Sequence, residues 1–386
     1  MSSNKSNRLK KAAGLAFTLV MWMAVGAASG VLLMTRLRPE DMPPLRWALL
    51  LGGLLLALYF AIFLQIVVHE AGHLVCGLLS GYRFSSFRVL NLTFVRGEDG
   101  RVRLRRYSLA GTGGQCLMDP PELRGGRMPV VLYNLGGVIF NLLASALFGA
   151  AGLLTRGFLS AALLIAALVG AALALMNGLP FDFGGVANDG CNTRELLREP
   201  EATRAFWLQL KTAERLNAGV PLRKLPEEWF AMPEKMDRAI TAAVGGLAYE
   251  RLLDEERYAE AAALACELPQ RAPGMLELHR AMLANDRVAL ALLGYGEAEP
   301  PAPTKEQARV LKAMRTHPSV MRTEYISALL ERGDSAEAAR LREKFERAAA
   351  RHPSSAELES DWRLMALADT RAEEKEGLGA GKSDNY

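Results

Sequence analysis

His69, Glu70 and His73 stand in an H-E-x-x-H arrangement, His69-Glu70-Ala71-Gly72-His73. On a helix the two histidines lie one turn apart on one face, so their imidazoles can hold one Zn2+ between them. Glu70 is the residue type, in the right place, for a general base that takes a proton from an attacking water. The motif alone is a weak signal, but its setting adds to it. Residues 47–68 carry no charge and run directly into it. Such a run can cross a hydrocarbon core of about 30 Å. The chemistry it suggests is metal-assisted hydrolysis inside or at the edge of a bilayer.

Two histidines leave a catalytic zinc site one protein ligand short. The chain has five histidines, and His279, His317 and His352 all lie in its second half. The missing ligand near the motif is therefore expected to be a carboxylate or, as a second choice, a cysteine. Glu40 and Asp41 fall on the far side of the motif's span, and Glu98 and Asp99 in a turn. Asp119 and Glu122 sit in the Pro-rich stretch Asp119-Pro120-Pro121-Glu122. Asp182 and Asp189 follow the last apolar stretch, in a segment whose Pro and Gly residues let the chain turn back. One of these two is the expected third ligand.

Four apolar stretches position these residues: 12–34, 45–79, 129–153 and 158–179. The first follows Lys5, Arg8, Lys10 and Lys11 and is longer than a usual signal-peptide core, so it reads as an uncleaved anchor. The N-terminal tail has four Lys/Arg and the 80–128 connection nine, against three in 35–46 and Arg156 alone in 154–157. Basic segments stay on the cytoplasmic side, so both termini, the 80–128 connection and the motif are expected there. Within that connection, 84–95 is rich in β-branched and aromatic residues, Asp99-Gly100 is a turn signal, and residues 101–105 alternate Arg with Val and Leu. A β-hairpin at about 82–107 is expected near the motif. Its arginines suit water and anionic headgroups, and its edge could also pair with an unwound substrate segment.

Composition divides the chain. Residues 1–190 hold 17 Lys/Arg against 9 Asp/Glu, and residues 191–386 hold 29 against 33. The net charge of +4 averages two unlike halves and gives no case for nucleic-acid binding. Cys76, Cys116, Cys191 and Cys266 form no C-x-x-C pair, which argues against a disulfide framework. Beyond residue 193, helical spacing recurs at 194–217, 234–253, 256–268, 304–315, 321–332, 335–351 and 355–370, with a linker at 296–305. The helix pairs are loosely tetratricopeptide-like, without a clean repeat.

The motif and the 177–190 segment together resemble the site-2 protease group of intramembrane zinc metalloproteases (peptidase family M50). In that group H-E-x-x-H on one span is followed by N-x-x-P-x-x-x-x-D-G, whose Asp is the third zinc ligand. Asn177 and Pro180 match, and Asp189-Gly190 supplies the Asp-Gly pair, with a spacer of eight residues in place of four. The resemblance thus implies His69, His73 and Asp189 as zinc ligands and Glu70 as catalytic base, with Asp182 as the alternative ligand. Gly137-x-x-x-Asn141 resembles a further element of the family, without its usual Pro, as Val138 stands there. By the resemblance Asn141 and Asn177 hold substrate or support the oxyanion.

The expected architecture is mostly α. Residues 1–44 form the tail and first transmembrane helix, 45–192 the metalloprotease core with its hairpin, 193–375 a cytosolic helical domain and 376–386 a disordered tail. The expected activity is zinc-dependent cleavage of a transmembrane or membrane-associated protein or peptide by an integral protein of a bacterial plasma membrane. A cytosolic protein or peptide partner of the helical domain, membrane lipids and no nucleic acid complete the expected partners. The alternative is a non-proteolytic membrane adaptor whose helical domain binds proteins.

Overall fold

A computed structural model describes residues 2–37, 42–106, 113–180, 182–183 and 186–383, with side chains for all of these except 2–11, 182–183, 186 and 376–383. The elements open with α1 (Ser2–Leu37) and α2 (Pro44–Leu79). The short strands β1 (Arg83–Val89), β2 (Leu92–Arg96), β3 (Val102–Arg106) and β4 (Gly114–Asp119) follow. Next come α3 (Val131–Leu154), α4 (Gly157–Gly178), and the two-residue strands β5 (Asp182–Phe183) and β6 (Val186–Ala187). The described residues then form α5 (Asp189–Arg198), α6 (Pro200–Asn217), α7 (Ala239–Asp254), α8 (Tyr258–Arg271) and α9 (Glu277–Leu292). They end with α10 (Lys305–Ala313), α11 (Pro318–Leu330), α12 (Ser335–Ala349) and α13 (Glu359–Ser383). The fold is mostly helical with a little antiparallel sheet.

Four helices are long and apolar enough to cross a membrane: Ala12–Leu37 of α1, then α2, α3 and α4. These match the four stretches expected from sequence to within three residues at each end. At 36 residues, α2 is about 54 Å long, well beyond one hydrocarbon core, and the H-E-x-x-H motif falls near its C-terminal end.

The chain forms two compact units, Met1–Leu90 with Thr112–Arg204, and Asn91–Gly111 with Ala205–Tyr386. The division falls inside α6, some residues beyond the boundary expected at 193. In the first unit, α1, α2 and α4 share an apolar core of Val25, Leu54, Ala61, Ile165 and Val169. Helices α2 and α3 meet backbone to backbone. A Cβ on Gly72 would lie 2.3 Å from Gly136 O, and one on Gly136 would lie 2.4 Å from Gly72 O. Only glycine at both places lets the two helices approach this closely. Strands β1 and β4 pair antiparallel, from Arg83↔Asp119 to Val89↔Gly114. Asp119 accepts from Arg83 at 2.9 Å, which closes that end of the pair.

The β-rich stretch 84–95 holds parts of two strands. Leu90 adopts φ 55, a left-handed conformation that a strand cannot continue through, and the break at Leu90-Asn91 separates β1 from β2. The hairpin is β2 with β3, in register from Leu92↔Arg106 to Arg96↔Val102. Its turn has Gly100 at φ 73, and Asp99 Oδ1 accepts from Arg101 N. The hairpin belongs to the second unit. There the Ser355 hydroxyl donates to Glu98 Oε1 at 2.9 Å, and the Glu98 side chain lies against Gly219.

The second unit is held by an apolar core from α7, α8, α9, α11, α12 and α13, in which Leu268, Leu290, Ile326, Phe345 and Leu364 are buried. At its centre the Arg322 guanidinium, 1% exposed, donates to Asp361 at 2.9 Å and to Asp286. Tyr249 also donates to Asp286, and Asn285 donates to Thr323. This charged centre ties α7, α9, α11 and α13 together. The sequence reading omits α9, because its buried face includes Asn285 and Asp286 and so lacks an unbroken apolar stripe. The expected 194–217 helix is interrupted at Glu199-Pro200, where proline can only begin a new helix. Helix α13 continues to Ser383, past residue 376, where a disordered tail is expected.

Candidate metal centre

His69 and His73 sit on one face of α2, with rings edge to face and centroids 4.7 Å apart. Their Nε2 atoms are 3.1 Å from each other. Asp189, the first residue of α5, brings Oδ2 to 3.1 Å from His69 Nε2 and 3.5 Å from His73 Nε2. Three residues from two helices thus aim one atom each at a single point. Among the described residues this is the one cluster of His, Cys, Asp and Glu that could hold a metal ion.

The far nitrogens fix what the near ones carry. His73 Nδ1 lies 2.8 Å from Tyr133 O, a carbonyl that can only accept, so Nδ1 carries the hydrogen. His69 Nδ1 lies 2.7 Å from Asn141 Oδ1. The orientation of that amide is set by Gln65, because Asn141 Nδ2 donates to Gln65 O at 2.9 Å and to Gln65 Oε1 at 2.7 Å. Gln65 Nε2 in turn donates to Ala166 O at 3.1 Å. His69 Nδ1 is therefore also an N–H donor, and in the neutral rings both Nε2 atoms carry lone pairs. With both rings neutral, two lone pairs and a carboxylate oxygen face one another. Asp189 Oδ2 is buried without a hydrogen-bond partner. Such a set is repulsive until a cation lies at its centre.

The dimensions suit zinc. Tetrahedral bonds of about 2.0–2.1 Å place neighbouring ligand atoms about 3.3 Å apart, against 3.1, 3.1 and 3.5 Å here. The Nδ1 hydrogen bonds are the usual outer partners of zinc-binding histidines. Burial works against a charged Asp189, but the imidazoles of His69 and His73, where protonated, prevail and hold its carboxyl down to about 2.

Local sequence explains each placement. Gly137 lies against His69, where a Cβ would come within 2.5 Å of the ring. Asn141 is one turn further along the same face of α3. Asn188 caps α5 by accepting from Cys191 N, and its Nδ2 donates to Met176 O and Leu179 O at the end of α4. A Cβ on Gly190 would sit 2.1 Å from Gly178 O. The Asp-Gly pair therefore has a physical reason: glycine at 190 is what lets α5 begin against α4 with Asp189 facing the histidines. The longer spacer folds on itself as the β5–β6 pair, Asp182↔Ala187 and Phe183↔Val186. The backbone of Asp182 lies in β5, and its side chain is outside the described residues.

Glu70 is buried, and its carboxyl packs on Gly114 at the start of β4, where a Cβ would meet Oε1 at 2.5 Å. Of the glycine-rich stretch 111–115, Gly111 and Thr112 lie outside the described residues. Asn141 is brought to His69, with both its hydrogens committed to Gln65. Asn177 Nδ2 donates to Leu173 O, one turn back in its own helix. Gln65 and Asn188 were missed in the sequence. An uncharged polar residue inside the apolar run, and an Asn directly before Asp-Gly, were the signals available.

Comparison with known proteins returns no matching family model, no matching curated protein and no matching solved structure.

Proposed function

We propose that this chain is a zinc metalloprotease of the site-2 type, cleaving a transmembrane or membrane-associated peptide. The observation that carries the reading is the convergence of one ligand atom each from His69, His73 and Asp189 on a single point. In this reading His69, His73 and Asp189 hold the ion. When bound, Zn2+ supplies Lewis-acid polarisation of a peptide carbonyl and brings the pKa of water toward 7. Glu70 accepts the proton of the attacking water on its carboxylate and returns it to the leaving amine. Asn141 and Gln65 hold the His69 ring, and Tyr133 O holds that of His73.

The four apolar helices support a membrane setting, and the Lys/Arg distribution favours cytoplasmic termini in a bacterial plasma membrane. The helical unit is read as tetratricopeptide-like and as the platform for a cytosolic protein or peptide partner. Its successive helices α11 and α12, and α7 and α8, pack on each other as that architecture needs.

Glu70→Gln is the direct test, with purified protein, zinc analysis and a membrane-embedded peptide reporter. The variant is expected to keep its zinc and lose cleavage. Wild-type protein free of zinc after repletion would overturn the metal reading. Normal cleavage by the variant would overturn the assignment of the base.

A further inference from the structure

The β2–β3 hairpin has two unlike faces. By its register, Leu92, Phe94, Val102 and Leu104 share one face, with Arg96 and Arg106 at opposite corners, paired across to Val102 and Leu92. On the other face Thr93 and Val95 are buried. The apolar face is open: Leu92 is 42%, Phe94 43%, Val102 52% and Leu104 56% exposed. Outside the four apolar helices, eight large hydrophobic side chains are exposed among the described residues. Five of them lie between residues 90 and 104, which makes this a concentrated patch rather than ordinary surface scatter.

The charges around the patch identify its partner. Five arginines (Arg96, Arg101, Arg103, Arg105 and Arg106) stand against two acids in the hairpin. Both acids are engaged, at the hairpin's turn: Asp99 pairs with Arg103 at 2.8 Å, and Glu98 accepts from Ser355. An apolar face bordered by cationic side chains is the pattern of elements that lie in a membrane interface, with aliphatic and aromatic groups among the acyl chains and arginines at the phosphates. A protein partner of ordinary surface composition offers no matching anionic border.

We propose that the Leu92–Phe94–Val102–Leu104 face of the hairpin docks into the interface of an anionic phospholipid bilayer, with Arg96 and Arg106 meeting the headgroup phosphates. The Glu98 contact with Ser355 and Gly219 holds the hairpin's turn on the helical unit. That unit therefore gains an attachment to the lipid surface besides its covalent link to the apolar helices.

The test uses full-length protein in vesicles, with trifluoromethyl-phenylalanine placed by amber suppression at position 94, 104 or 103. Fluorine resonances are read with a nitroxide-labelled lipid and, separately, with a water-soluble gadolinium chelate. In vesicles containing phosphatidylglycerol, positions 94 and 104 should be broadened several-fold more by the lipid nitroxide than position 103, and less by the chelate. Arg96→Gln with Arg106→Gln should reduce the lipid effect to its level in pure phosphatidylcholine, with the circular dichroism spectrum unchanged. Equal broadening of 94, 104 and 103 by the chelate would overturn the proposal, placing the face in water. Protection of 94 and 104 from both agents would overturn it in favour of a covering protein segment. A double variant indistinguishable from wild type would overturn the role of the phosphates.

Discussion

His69 Nδ1 lies 2.7 Å from Asn141 Oδ1, and the same amide gives both its hydrogens to Gln65. This relation makes Asn141 an orienting group for the His69 ring, since both hydrogens of its amide are taken by Gln65. Asn141→Leu and Gln65→Leu should each lower zinc affinity about 10–100-fold, the usual effect of losing such a partner. Competition with a coloured chelator measures it. Unchanged affinity in both variants would show that His69 needs no outside support.

The third ligand is decided by comparing two aspartates. Asp189→Ala should lose most of its zinc, whereas Asp182→Ala should stay loaded, as metal analysis of the purified proteins will show. The same analysis should reveal competition by protons. Both imidazoles must be neutral at Nε2 to bind, so zinc retention should fall as the buffer is made more acidic.

The backbone contact between α2 and α3 predicts a severe effect from one methyl group. Gly72→Ala or Gly136→Ala places a Cβ on a carbonyl oxygen that cannot move aside, and should cost about 3 kcal/mol or more. In contrast, Gly246 in α7 has nothing within 4 Å of its Cβ direction. Gly246→Ala should stabilise by about 0.4–1 kcal/mol. Thermal unfolding in one detergent compares the three variants.

Arg322 is the counter-ion of two buried carboxylates in the helical unit. Arg322→Met should destabilise that unit by about 3–5 kcal/mol near neutral pH, because Asp286 and Asp361 remain inside without a cation. Burial already raises the Asp361 carboxyl to about 6 beside Arg322, so without Arg322 the penalty is present at high pH. It disappears as the pH falls below about 3.9, where the unfolded carboxylates are protonated as well. Urea unfolding followed by fluorescence of Trp362, which packs on Phe345, reads the difference.

Much of this molecule is legible in its sequence because apolar length and motif spacing are one-dimensional signals. The four apolar helices follow from composition, and the proximity of His69 to His73 follows from helical geometry. Asp189 was reachable through Asp-Gly, although the reason, the close approach of Gly190 to Gly178 O, exists only in three dimensions. The role of Gln65 is hidden for the same cause: Gln65 stands out as a polar residue in an apolar run, but its partner Asn141 is 76 positions away. The break at Leu90 depends on a left-handed leucine, which local propensity argues against. Helix α9 hides its signal by burying Asn285 and Asp286 beside Arg322, a pairing no periodicity reveals.

The close seating of Gly72 on Gly136 has a consequence for the order of biosynthesis. His69, His73, Asn141 and Tyr133 all ride on α2 and α3, and can be aligned once residue 154 has been made. The carboxylate that completes the cradle is residue 189, after the fourth apolar helix. A chain emerging from its N-terminus therefore carries both histidines through a long stretch of its synthesis before Asp189 can join them. The centre closes last, and a chain that stalls before residue 189 carries an incomplete one.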